Sequence, residues 1–271
     1  MLNLTPEFSK SLDQAAYLVS HSEHVVMLAG AGLSVESGIP PFRGPGGLWA
    51  NGKGQTNLSY REFLRNPGEW WETRFRNEDK PGDPTYELKI AVDQASPNPG
   101  HHAIVEMEQH GFLQCVVTQN VDNLHRVAGN QNILEIHGNR SFLRCIKCGN
   151  RLPRDDYHFD ILPPRCTQCD GIIKMDTVMF GEPIPEDVLM ACRQQVETCD
   201  LMLLVGTSGT VNPAARFPII AKELGASLIE INPDETPLTP WCDIILNGSS
   251  GELLPLLLKR LLNISLIERG T

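Results

Sequence analysis

Apolar positions along the chain fall into two rhythms. Over residues 6–21, with Pro6 near the start, they recur at helical spacing and predict an amphipathic helix; the stretch 24–29 that follows reads as a short apolar strand feeding a glycine loop. Asn98-Pro99 predicts a helix start and Gly111 its stop, after which "FLQCVVT" predicts a strand ending at Gln119. The C-terminal third repeats the alternation, with helices over 185–199, 213–224 and 251–262 and strands over 201–205, 227–231 and 243–246. Continuous apolar strands between helices predict a parallel sheet covered on both faces, an α/β doubly wound fold. Such sheets bind ligands beyond the carboxyl ends of their strands, and here those ends read "GAG", "TQNVDN", "GTSGT" and "NPDET".

Two stretches interrupt the rhythm. Residues 44–97 hold Trp49, Trp70 and Trp71 among many Gly, Pro and Asn, and residues 138–177 hold two cysteine pairs. They predict a helical and a metal-binding insertion that together form a smaller domain over the sheet edge, leaving 1–43, 98–137 and 178–271 to the larger one. A chain of 271 residues is long enough for this plan. Its net charge of −10 argues against wholesale wrapping of nucleic acid. Apolar runs such as Leu201–Val205 are far too short to cross a bilayer, and "MLNLTPEFSK" lacks a basic segment followed by an apolar one, so a cytoplasmic, membrane-free protein is expected.

A reducing compartment changes the reading of the cysteines, because paired spacing then points to metal and not to disulfides. Cys145 and Cys148 form one C-x2-C pair and Cys166 and Cys169 a second, 17 residues apart. Each pair can place two thiolates on one turn, and four thiolates close a tetrahedral Zn2+ site with no position open to water, so the zinc is expected to be structural. Four reduced thiols without metal are the alternative. Between Gly138 and Asp176 seven Lys or Arg face five Asp or Glu, a surplus of two with no stacking platform, so direct nucleic-acid binding is not expected. The remaining cysteines, Cys115, Cys192, Cys199 and Cys242, read as buried small residues.

The loop after the first strand carries Gly30, Ala31 and Gly32 but has Val35 where a dehydrogenase fingerprint needs its third glycine. Ser34, a rigid Pro40-Pro41 turn, Phe42 and Arg43 follow. A guanidinium suits a diphosphate, and a neighbouring ring can shield a reactive ribose carbon. Hydride transfer does not require that arrangement, whereas breaking a glycosidic bond in a water-excluded site does.

"GAGLSVESGIPPFRGPGGLW", "TQNVDNLHRVAG", "EIHG", the cysteine quartet, "VMFGEPIP" and "GTSGTVNPAARFP" occur in the order seen in sirtuins, and over most of residues 24–250 the chain resembles a bacterial or archaeal-type member of that family. The resemblance implies a Rossmann-like large domain, a small domain with structural zinc, and NAD consumed as co-substrate by a protein-lysine deacylase. In that chemistry the acyl oxygen attacks the anomeric carbon as nicotinamide leaves, giving an alkylimidate, and deacylated lysine and O-acyl-ADP-ribose follow. Gly30, Ala31, Gly32 and Ser34 would approach the NAD phosphates. Ile39, Asn120 and Asp122 would form the nicotinamide pocket, with Gln119 facing the ribose. Gly206, Thr207, Ser208, Asn232 and the stretch near Cys242 would surround the adenosine half. His137 would be the general base, since an imidazole of pKa about 6.5 can take a proton at neutral pH. "VMFGE" would pair with an acyl-lysine peptide as an added strand, with Val178, Phe180 and Gly181 contacting the substrate.

Sirtuins that remove succinyl or malonyl groups carry a Tyr-x-x-Arg pair; here "NPGEWWETRFRN" places Arg74 and Asn77 at those positions, so acetyl-lysine is the expected substrate. Arg74 and Arg76 read as surface residues, and His101, His102 and His125 as structural or solvent-facing. Met175, Thr177 and Gly209 also depart from the family pattern. An NAD hydrolase or ADP-ribosyltransferase would use the same pocket without an acyl-lysine tunnel, and a non-catalytic binding module would use the zinc ribbon alone; "VMFGE" speaks against the first, and Asn120, Asp122 and His137 against the second.

Overall fold

The computed structural model describes residues 5–41 and 59–269. Phe42, Arg43 and Trp49 lie outside the described residues. In chain order the helices are α1 (Pro6–His21), α2 (Tyr60–Arg65), α3 (Pro67–Glu78), α4 (Pro84–Gln94), α5 (Pro99–Gln109), α6 (Leu124–Ala128), α7 (Glu186–Thr198), α8 (Phe217–Glu223) and α9 (Ser250–Arg269). The strands are β1 (Val25–Ala29), β2 (Cys115–Thr118), β3 (Ile133–Glu135), β4 (Phe142–Cys145), β5 (Arg151–Pro153), β6 (Ile173–Met175), β7 (Leu201–Val205), β8 (Ser227–Asn232) and β9 (Ile244–Asn247).

Six strands form one parallel sheet in the order β3-β2-β1-β7-β8-β9. The chain winds outward from β1 through β2 and β3, then returns to the other side of β1 with β7 and continues outward. This is the Rossmann-like doubly wound order, and its switch point lies between β1 and β7. Strand alternation builds both faces: Val25, Met27 and Ala29 enter a core with α1, α5 and α9, while Val26 and Leu28 enter a second core with α7 and α8. Each fully buried aliphatic side chain contributes about 1.5–3 kcal/mol, so the sheet is a rigid platform for whatever its strand ends carry.

A second, antiparallel sheet, β5-β4-β6, holds the cysteine pairs. Leu143, Ile173 and Met175 pack with Phe63 and Trp71, and the Trp71 indole N–H donates to the Ile173 carbonyl at 3.0 Å, joining α2 and α3 to this sheet. This smaller unit carries the cysteine quartet.

Three elements differ from the sequence reading. The helix expected over 213–224 begins as a 3-10 turn, Ala214–Arg216, before α8, because Pro218 has no N–H and its ring excludes a carbonyl four residues back. The last helix runs to Arg269 instead of 262. The loop after β1 is a 3-10 segment, Ala31–Ser37, closed by Gly38 at φ +87°.

Candidate active site

At the switch point two backbone loops interlock. The Gly30 N–H donates to the Val205 carbonyl (2.9 Å) and the Gly32 N–H to the Gly206 carbonyl (2.8 Å). A Cβ on Gly32 would stand 2.7 Å from the Gly206 Cα, and one on Gly206, itself at φ +58°, would stand 2.5 Å from the Leu33 nitrogen. Backbone meets backbone here, so neither glycine can be exchanged without moving a strand end.

Buried polar side chains fix the loop from behind. The Asn120 amide donates to the Gly30 carbonyl (3.0 Å) and to Ser34 Oγ (3.2 Å), and Ser34 Oγ donates to Asp122 Oδ2 (2.7 Å). On the other side, Gln119 Nε2 donates to Thr207 Oγ1 (2.8 Å) and Asn232 Nδ2 to the Thr207 carbonyl (3.0 Å). Asn98 has a role that sequence reasoning missed. Its oxygen caps α5, but its Nδ2 donates to the Leu33 carbonyl (2.7 Å) and Ser37 Oγ (3.0 Å), tying the helix start to the glycine loop. An N-cap signal was legible; the second bond spans residues too distant for any sequence pattern to show.

The interlocked loops border a cleft of about 1440 Å³ between the large sheet and the smaller unit. Gly30, Ala31, Gly32, Gln119, Asn120, His137, Gly206, Thr207, Ser208 and Asn232 line it together with Val178, Phe180 and Gly181. Ser34, Ile39 and Asp122 are buried behind its wall. Cys242 does not line it: its thiol donates to the Leu238 carbonyl (3.3 Å), and burial pushes its pKa up to about 12.

His137 follows β3, and its Nδ1 lies 3.2 Å from the Gln119 carbonyl. A carbonyl only accepts, so Nδ1 carries the proton and Nε2 is the basic nitrogen. Burial pulls the imidazole pKa below its ordinary value, with the Gln119 bond opposing, so the ring is neutral at pH 7. The His137 carbonyl accepts the Val178 N–H (2.9 Å), which ties His137 to the "VMFGE" segment. That segment is not a continuous strand: Phe180 makes an isolated bridge with Ser59, its carbonyl accepting the Tyr60 N–H (3.0 Å), and Gly181 turns at φ +77°.

Arg74 corrects the surface reading. It lines the cleft, its guanidinium 2.9 Å from Glu78, and burial lowers its pKa to about 10 against the pull of Glu78. His101 and His125 are likewise buried, their rings 5.3 Å apart.

The four Sγ atoms of Cys145, Cys148, Cys166 and Cys169 all lie within 4.8 Å of one another, with Cys145–Cys169 at 3.5 Å and Cys148–Cys166 at 3.8 Å. Zinc–sulfur bonds of about 2.3 Å at a tetrahedral centre require sulfur–sulfur edges of about 3.8 Å, so the donor set fits Zn2+.

A model of the Sir2 family matches residues 30–213. The NAD-dependent protein deacylase 2 of Pyrobaculum aerophilum is 41% identical over 245 residues, 90% of this chain and 93% of that protein. The chain belongs to the Sir2 family. Among solved Sir2 structures, a homolog–NAD complex is 36% identical with a TM-score of 0.77, covering 93% of this chain and 94% of the other. A Sir2 variant with a deacetylated p53 peptide and 3′-O-acetyl-ADP-ribose is 30% identical with a TM-score of 0.76, covering 92% and 97%. The Sir2 fold therefore accounts for both sheets and for the cleft between them.

Proposed function

We propose that the protein is an NAD-dependent protein-lysine deacylase that moves an acyl group from lysine to ADP-ribose and releases nicotinamide. The observation that carries this reading is the neutral His137, its Nδ1 fixed by the Gln119 carbonyl, in a cleft that also contains the glycine loops and Val178–Gly181. The similar protein named as a deacylase and the Sir2 structures with NAD and with peptide support it. Bound NAD supplies the nicotinamide–ribose bond that is broken and the ribose hydroxyl that accepts the acyl group.

This chain's residues bind, orient and move a proton. Gly30, Ala31 and Gly32 give close backbone access to the phosphates, with Ser34 setting the loop through Asn120 and Asp122. Ile39, Asn120 and Asp122 shape the nicotinamide pocket, and Gln119 faces the ribose. Gly206, Thr207, Ser208 and Asn232 hold the adenosine half. His137 takes the proton of the ribose hydroxyl at Nε2. Val178 and Phe180 wall the acyl-lysine, and the peptide lies along Val178–Gly181 as an added strand whose main-chain bonds tolerate many sequences. The four thiolates would hold Zn2+ with no open position, so the metal shapes the smaller unit and takes no part in the reaction.

Incubation with NAD and an acetylated peptide should yield O-acetyl-ADP-ribose, detectable by mass spectrometry. His137→Ala should lower kcat by about a hundred- to ten-thousand-fold with zinc content and fold unchanged. NAD loss without peptide would identify a hydrolase instead, and no NAD loss a binding module.

A further inference from the structure

β6 alternates like any strand: Ile173 and Met175 enter the core of the smaller unit, and Lys174, between them, is sent to the other face. There its side chain is only 1% exposed, which is rare for an ammonium and costly unless every donor is satisfied. All three N–H groups have acceptors: the Met175 carbonyl at 2.7 Å, the Thr177 carbonyl at 2.9 Å and Glu182 Oε2 at 3.1 Å. The same Glu182 oxygen accepts the Met179 N–H at 2.8 Å. Every acceptor belongs to one eight-residue stretch that starts at the last residue of β6, Met175–Glu182, and none to the zinc turns. That stretch is wound around a single ion pair, with carbonyls near its start and a carboxylate at its end held by one nitrogen. From Thr177 to Glu182 it lines the cleft.

We propose that Lys174 is a positioning residue for the acyl-lysine substrate, its ammonium holding Met175–Glu182 in the shape that forms the peptide and acyl wall of the cleft. The inference rests on the deacylase reading and assigns the charge a task that packing alone does not require. A buried ion pair adds little net stability over an apolar replacement of similar volume, whereas removal of one member leaves the other unpaired. Stability and substrate positioning therefore separate in a pair of variants.

The test is steady-state kinetics with an acetyl-lysine peptide, alongside NAD affinity measured without peptide. Lys174→Met should raise the peptide KM roughly tenfold, the loss expected for a hydrogen-bonded charge, with kcat changed less than about threefold and NAD affinity held within about twofold. Lys174→Arg, which keeps a cation and its donors, should stay within about threefold of the wild type. The double variant Lys174→Met with Glu182→Gln leaves no charge unpaired. It should recover thermal stability but not peptide KM, and it carries the same comparison if the single variant fails to fold. A wild-type peptide KM in the single or the double variant overturns the proposal, as does a parallel loss of NAD affinity. A wild-type protein that forms no O-acetyl-ADP-ribose removes the deacylase reading itself, an outcome distinct from an unchanged KM ratio.

Discussion

The buried histidine pair makes the fold sensitive to mild acid in a way that can be calculated. His101 has its Nδ1 accepting the Asn98 N–H at the start of α5, its Nε2 has no partner among the described residues, and its ring meets His125, whose Nε2 also lacks one among them. Burial first, then the neighbouring His125 and His102, pull the His101 pKa from its ordinary 6.5 to about 3. The unfolded chain therefore binds a proton that the folded chain refuses, so stability is full above pH 6.5 and falls as the pH drops below it. At about 1.36 kcal/mol per pH unit, the roughly 1.5 units between 6.5 and pH 5 cost about 2 kcal/mol for this one side chain. Carboxylates do not confuse that window. Burial works to raise Glu78 and Glu135, but their arginine partners outweigh it and hold both below the ordinary 4.5, so their contributions are lost only at lower pH. His101→Gln keeps an acceptor for the Asn98 N–H, as in a capping box, and removes the titration. Urea unfolding at about pH 7.5 and pH 5 should show the wild type losing about 2 kcal/mol more than the variant, with equal m-values. Equal acid losses in the two proteins would refute the reasoning.

Three further outcomes follow from the same geometry. Gly32→Ala should abolish NAD binding by calorimetry and cost about 1–3 kcal/mol in denaturant, because its Cβ meets the Gly206 backbone at 2.7 Å with no side chain to yield. The wild type should carry one zinc per chain by elemental analysis, and Cys148→Ser should lose it together with the protease resistance of residues 142–175. Because Glu78 neutralises Arg74 at 2.9 Å, acetyl-lysine should be turned over faster than succinyl-lysine, and Glu78→Gln should raise the succinyl-to-acetyl ratio.

Local pattern carried most of the fold. β1 and β7 were legible because strands buried on both faces are continuously apolar, and α5 because Asn98-Pro99 and Gly111 punctuate it. The three short strands of the second sheet were not, since each has few residues and depends on packing against Trp71 and Phe63 from far upstream. Four cysteines announced their site because two ligands on one turn is a local constraint. Arg74 was misplaced for the opposite reason: its burial depends on Glu78 and on the cleft, and a charged residue on a helix carries no mark of which face the tertiary structure will cover.

The polar joints between the two sheets explain why the motif around His137 was legible in the sequence while the orientation of its ring was not. Asp176, fully buried at the end of β6, accepts Arg144 Nε (2.6 Å), Arg151 Nε (2.9 Å) and the Asn139 N–H (2.9 Å). Glu135, two residues before His137, accepts Arg151 Nη2 (2.6 Å) and Arg126 Nε (2.8 Å). Arg151 thus bridges the smaller sheet to the end of β3. Gly138, at φ +74°, passes so close to the Asp176 carbonyl that a Cβ would stand 2.1 Å from it. Buried charges of this kind add little net stability, but any displacement that unpairs one is costly. They therefore hold the smaller sheet against β3, and with it the segment whose Val178 N–H donates to the His137 carbonyl at 2.9 Å.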